Sequence, residues 1–95
     1  MTDLCLVLTT CGSETIARAM AMELVDLGLV ASVNLQPVQT CFRLDGRTLE
    51  EEGIQLMAVT TSDRYAEVEA CMLRLHTFEA PDVFMVRLDR WAGGA

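Results

Sequence analysis

His76 is the only histidine of the chain, and Cys5, Cys11, Cys41 and Cys71 are its only thiols. These residue types hold transition metals: imidazole suits copper and zinc, and soft thiolates suit Cu(I). His76 falls where the second predicted helix ends, which leaves metal ligation, proton transfer and a C-terminal cap on the helix dipole all open. Cys41 lies near a predicted hairpin turn and Cys11 in a predicted loop after the first strand; each reads either as a soft-metal ligand or as a small hydrophobe. Cys5 and Cys71 fall on predicted core faces and carry no site role. His76 and Cys41 are therefore the candidate metal ligands. Copper or another divalent cation is the candidate ion, and the sequence implies no cofactor beyond it.

The remaining polar residues suggest less. Glu50-Glu51-Glu52 is a run of hard oxygen donors, but calcium or magnesium needs several oxygens converging. Alternate strand residues point to opposite faces, so the run reads as a solvated arm that discourages edge-to-edge aggregation. Arg43 and Arg47 flank the turn and are expected to find cross-strand partners in that acidic arm. Cys11-Gly12-Ser13 before a helix offers N-terminal amides to a small anionic ligand. Met20, Met22, Met57, Met72 and Met85 are spread over separate elements and read as core filler. No nucleophile, base and orienting group are spaced as a catalytic set, so the expectation is a protein that is not an enzyme.

Composition narrows the class. Ninety-five residues make one domain, with 52% apolar residues and a mean hydropathy of +0.31. A small chain has proportionally more surface, so this apolar excess points to surface buried against other copies. The net charge of −7 argues against nucleic acid or an anionic membrane as partner, because both need a basic face. The N-terminus has no basic leader region and no run reaches membrane-spanning length. Four cysteines without paired spacing read as free thiols in a reducing cytoplasm.

The elements that must position these residues can be placed in order. Leu4–Leu8 is an unbroken apolar run, read as a strand buried on both faces and closed by residues 9–12. Ser13 is placed to cap a helix whose inward stripe is Ile16, Met20, Leu24 and Leu27 and which ends at Gly28. Asp45-Gly46 then sits between two long β-rich arms, Val33–Leu44 and Arg47–Thr61. Asp-Gly in that position signals a type I′ hairpin. Pro37 marks the first arm as an edge strand with a bend. Ser62 is placed to cap a second helix with inward stripe Tyr65, Val68, Met72 and Leu75. Pro81 ends it, Val83–Val86 forms a last strand, and the tail from Trp91 to Ala95 has no periodicity. The order βαββαβ predicts an α+β, ferredoxin-like fold: an antiparallel sheet, both helices on one face, a long central hairpin. Strands one, three and four are apolar on both faces, so a second copy must cover what the helices do not.

Four motifs in register resemble the CutA divalent-cation tolerance family. Val30-Ala31-Ser32-Val33-Asn34 is similar to its A-C-V-N step, and Thr40–Gly46 to its S-I-Y-R-W-E-G turn. Thr60-Thr61 falls on its K-T-T/R step, and His76–Pro81 is similar to its H-P-Y-E-V-P. The resemblance implies a tight homotrimer related in architecture to the PII signalling proteins. It implies a role in divalent metal (copper) tolerance, or alternatively a PII-like small-molecule module with clefts between subunits. Ser32 stands where the family has Cys, Leu44 where it has Trp, and Val59 where it has Lys. Gly93-Gly94 stand where its final segment begins, as expected of a divergent or shortened member.

Overall fold

The computed structural model describes residues 3–78 and 81–92. Residues 79 and 80 of the last motif, and the tail from Gly93, lie outside the described residues. The elements run β1 (Leu4–Cys11), α1 (Glu14–Asp26), β2 (Ser32–Leu44), β3 (Arg47–Thr61), α2 (Tyr65–Leu75) and β4 (Val83–Arg87). They form one antiparallel sheet in the order β2-β3-β1-β4. This is the expected ferredoxin-like α+β arrangement.

One face of the sheet lies under the helices. Along β1, Cys5, Val7, Thr9 and Cys11 are buried, while Leu4, Leu6, Leu8 and Thr10 between them are half-exposed. Leu56, Ala58 and Thr60 of β3 share the buried side. Ala17, Met20, Ala21 and Leu24 of α1 and Val68, Cys71 and Met72 of α2 close over them. Full burial of side chains such as Met20, Leu24, Leu56 and Met72 contributes about 1.5–3 kcal/mol each. Two buried hydroxyls are satisfied on the way: Thr60 donates to the Leu29 carbonyl (2.7 Å) and Thr9 to that of Asp82 (2.8 Å).

The α1 ends follow the sequence. Ser13 Oγ accepts from the Ile16 amide at 3.3 Å, as expected of an N-cap. Gly28 takes φ +69°, and the amides of Gly28 and Leu29 return to the carbonyls of Val25 and Leu24, a Schellman closure. The last helical residue is Asp26, with Gly28 at the expected left-handed C′ position. Leu27 becomes the C-cap and is exposed, and Met22, expected in the core, lies on the solvent side. Ser62 opens a 3₁₀ turn, Ser62–Arg64, instead of capping α2.

The hairpin sets the molecule's length. Asp45 and Gly46 have φ of 51° and 75°, the positive pair a type I′ turn demands. Pairing runs from Leu44↔Arg47 to Ser32↔Val59 without interruption, and Pro37 sits opposite Ile54 with no break. β2 is the edge strand, where a residue lacking an N–H is tolerated, so the expected bend is absent. The fifteen residues of β3 at about 3.3 Å each span roughly 50 Å, matching the 46 Å long axis. β1 pairs only with Ile54–Thr61, so the segment from Val38 to Gly53 projects as a two-stranded arm.

Tyr65, the only tyrosine, donates to Glu69 Oε2 at 2.7 Å across one turn of α2. That hydrogen bond, then burial and the charge of Glu69, raise its pKa from 10.0 to about 12. The raised value means the folded protein holds the phenolic proton more tightly. Its stabilisation is complete below pH 10 and is lost as the pH climbs towards 12. Absorbance of the phenolate near 295 nm is expected to titrate close to pH 12, and close to 10 in Glu69→Ala. Equal midpoints would remove Glu69 as the cause.

Candidate functional site

His76 follows α2 directly, in an extended conformation at φ −72° and ψ 142°. Its ring turns back onto β1 and does not cap the last helical carbonyls. Nε2 lies 3.2 Å from Thr9 Oγ1, and Nδ1 lies 3.3 Å from the Phe78 amide nitrogen. The proton positions follow from the partners. Thr9 gives its hydroxyl proton to the Asp82 carbonyl, so towards His76 it accepts and Nε2 carries the hydrogen. The Phe78 N–H needs the lone pair of Nδ1. His76 is thereby fixed as the Nε2–H tautomer with both nitrogens engaged. The Phe78 ring stacks obliquely on the imidazole with centroids 4.7 Å apart.

This arrangement is a clasp that ties the α2–β4 connection to the central strand. Thr9 is its centre, a residue that the sequence assigns to a closing loop. β1 instead continues to Cys11, because its ladder with β3 runs on to the Cys11↔Ile54 pair, and Cys11 is fully buried. Burial pushes the thiols of Cys5, Cys11 and Cys71 above their ordinary value. They stay protonated and make poor ligands.

Cys41 is the exposed thiol. It lies on the projecting arm opposite Glu50, whereas His76 packs against Thr9 in the body. Among the described residues, no group of three or more His, Cys, Asp or Glu side chains is placed to hold a metal ion. The donor set does not fit a resident ion: Nδ1 of His76 binds metal only by displacing the Phe78 amide, and Cys41, with Glu50 opposite it, lies on the arm apart from His76. Glu50, Glu51 and Glu52 are all exposed, as a solvated arm requires. Arg43 and Arg47 face Thr48 and Leu44 across the ladder. The ion pairs among the described residues are elsewhere, Arg18 with Glu14 and Arg87 with Asp3. The N-terminus of α1 borders a hollow of about 510 Å³ at the base of the arm, which Glu14 and Glu52 also line. Those carboxylates work against an anion there.

The face of the sheet away from the helices completes the picture. Cross-strand rows place Val86, Leu6 and Val59 side by side, and Phe84, Leu8 and Met57 beside them. Phe84 and Val86 are 59% and 49% exposed. Among the described residues nothing pairs with the outer edges of β2 and β4.

A βαββαβ sheet with two helices on one face and an overlong hairpin defines a ferredoxin-like domain whose second face is left uncovered by the described residues. Comparison with known proteins is specific. Residues 5–93 match the family model of the CutA1 divalent ion tolerance protein. The divalent-cation tolerance protein CutA of Thermus thermophilus is 31% identical over 78 residues, 81% of this chain and 76% of that protein. The solved CutA structure from Thermus thermophilus superposes with a TM-score of 0.87 at 27% identity, covering 94% of this chain and 87% of the other. CutA from Synechococcus elongatus gives 0.86 at 28% identity, covering 93% and 79%. The chain belongs to the CutA1 divalent ion tolerance family.

Proposed function

We propose that the chain acts in divalent metal (copper) tolerance as a non-enzymatic cytoplasmic homotrimer whose contact with metal is weak. Family membership supports the tolerance role. The observation that carries the assembly is the apolar second face, with Leu6, Leu8, Met57, Val59, Phe84 and Val86 in adjoining rows. Such a patch beside two open edges calls for closed symmetry, which covers the face and pairs the edges together. Free cysteines suit the cytoplasm.

Copper is held weakly on this reading because His76 must release the Phe78 amide to bind it, and Cys41 contributes a single exposed thiol. Calorimetric titration with Cu(II) and Zn(II) tests it. Cu(II) affinity is expected to be micromolar or weaker, and to fall about tenfold, roughly 1.4 kcal/mol, in His76→Ala. Equal affinity in the variant would leave His76 only its clasp with Thr9 and Phe78. Alkylating Cys41 is expected to reduce Cu(I) uptake, and unchanged uptake would discard that thiol.

A second reading, a PII-like small-molecule module, is favoured by one observation. Hollows of about 510 and 480 Å³ flank the base of the hairpin arm, within the size range of small-molecule sites.

A further inference from the structure

His76 is the chain's one imidazole, and neither of its nitrogens is free. Nε2–H donates to Thr9 Oγ1 at 3.2 Å, and Nδ1 accepts from the Phe78 amide at 3.3 Å. A ring nitrogen holds a metal or attacks an electrophile only through an unshared lone pair. In this tautomer Nδ1 carries the one such pair, and the Phe78 N–H already takes it. We propose that Thr9 and the Phe78 amide mask His76, so that the folded chain withholds its imidazole from metal ions. The proposal deepens the weak-contact reading, on which it rests, by naming the two residues that make the contact weak.

The two residues act differently. Thr9 selects the nitrogen: its hydroxyl proton goes to the Asp82 carbonyl at 2.8 Å, so towards the ring it accepts, and Nε2 keeps its hydrogen. Moving that hydrogen to Nδ1 would set two donors against each other at Phe78 and leave Thr9 with none. Phe78 then covers the nitrogen that remains. Its amide is two residues along the chain from the ring it engages, and its phenyl group stacks on the imidazole with centroids 4.7 Å apart. Thr9 belongs to the row of β1 that faces the helices, with Cys5, Val7 and Cys11. The His76–Thr9 contact therefore lies across the sheet from Leu6 and Leu8, and a neighbour covering that second face does not create it.

The consequence is a threshold. A nitrogen that is free for only a fraction of the time binds more weakly by that fraction. One net hydrogen bond makes the factor about two- to tenfold. Other donors do not offset it among the described residues. Cys5, Cys11 and Cys71 are buried, and no group of three or more His, Cys, Asp or Glu side chains converges. A chain built this way does not scavenge metal at low concentration. Its imidazole meets the ion only in excess, which is the condition that tolerance addresses.

Diethyl pyrocarbonate, which acylates an imidazole through its lone pair, tests the mask without any metal. His76 of the full chain, followed by mass spectrometry, is expected to react about fivefold or more slowly than N-acetylhistidine. Phe78→Pro has no amide hydrogen and is expected to react about threefold or more faster than wild type, whereas Phe78→Leu keeps that hydrogen and stays slow. Thr9→Val, which frees the other side of the ring, is expected to react faster as well. Cu(II) titration of the same proteins is expected to run in parallel, tightest in Phe78→Pro, with the gain lost in Phe78→Pro/His76→Ala. Nitrogen-15 NMR of the wild-type ring in mildly alkaline buffer needs no variant to fold: hydrogen on Nε2 alone is expected, and hydrogen on Nδ1 would overturn the proposal. Equal acylation of wild type, Thr9→Val and Phe78→Pro, beside a tenfold loss of Cu(II) affinity in His76→Ala, would overturn the mask and keep the weak contact. Cu(II) affinity indifferent to both Phe78→Pro and His76→Ala would remove the metal contact and the proposal with it.

Discussion

Val86→Glu is expected to convert the proposed trimer into monomers. Light scattering should fall from about three times the chain mass to the single-chain 10.5 kDa. Val86 is 49% exposed in the isolated subunit, so a glutamate there keeps much of its water and costs the fold little. Against a covering neighbour the same carboxylate would be buried without a partner, a penalty of several kcal/mol. Closed symmetry repeats that penalty at every interface, which is why one substitution suffices. Val86 adjoins Leu6 in the ladder, so the effect reports on the apolar face. An unchanged mass would exonerate this face, and a wild-type monomer at micromolar concentration would remove the trimer altogether.

Gly53→Ala carries the largest expected cost in stability. Gly53 lies one residue before the Ile54↔Cys11 pair that ends the β1–β3 ladder, where the arm departs from the body. A Cβ there would sit 2.8 Å from the Cys11 carbonyl oxygen and 3.1 Å from Thr10 Cγ2. The first of these is backbone, fixed in the central strand, so the chain itself has to shift. Overpacking of this kind costs about 1–3 kcal/mol, a fall in Tm of roughly 5–20 °C for a domain of this size. Gly12→Ala is the natural comparison, because its new Cβ meets only the rim of the Phe78 ring at 3.0 Å. That ring can swing, and a clearly smaller fall is expected. Both variants should be melted at one protein concentration, since assembly shifts the midpoint. Equal melting of Gly53→Ala and wild type would mean the approach is looser than described.

Much of the fold is legible in the sequence because several signals are local. Asp45-Gly46 specifies its turn through the φ values it tolerates, and Ser13 and Gly28 bracket α1 by capping chemistry. Strand and helix periods then leave βαββαβ as the order. What local signals miss is decided by pairing partners far along the chain. Thr9, Thr10 and Cys11 look like a closing turn, yet the β3 ladder holds them extended and buries Cys11. Pro37 looks like a bend, yet an edge position costs it no hydrogen bond. The candidate site is less legible still. Nothing near His76 announces Thr9, because α1, the hairpin and α2 all intervene. The expected partners of Arg43 and Arg47 fail for a related reason: register sets Thr48 and Leu44 opposite them.

The position of β1 has a consequence for how the chain is made. Among the described elements it comes first in the chain, yet it ends between β3 and β4, with Cys11 beside Ile54 and Cys5 beside Arg87. The hairpin, by contrast, closes outward from neighbouring Leu44 and Arg47 and can form as soon as it emerges. Long-range closures of the first kind are slow because chain entropy is lost before any contact repays it. The nascent chain therefore carries Leu4–Leu8 as an unpaired apolar strand while most of the domain is still being added. Even after β3 docks, β1 remains an edge until Val83–Arg87 arrives. A ribosome paused before that point holds an aggregation-prone intermediate, and β4 acts as the seal on a sheet begun with β1.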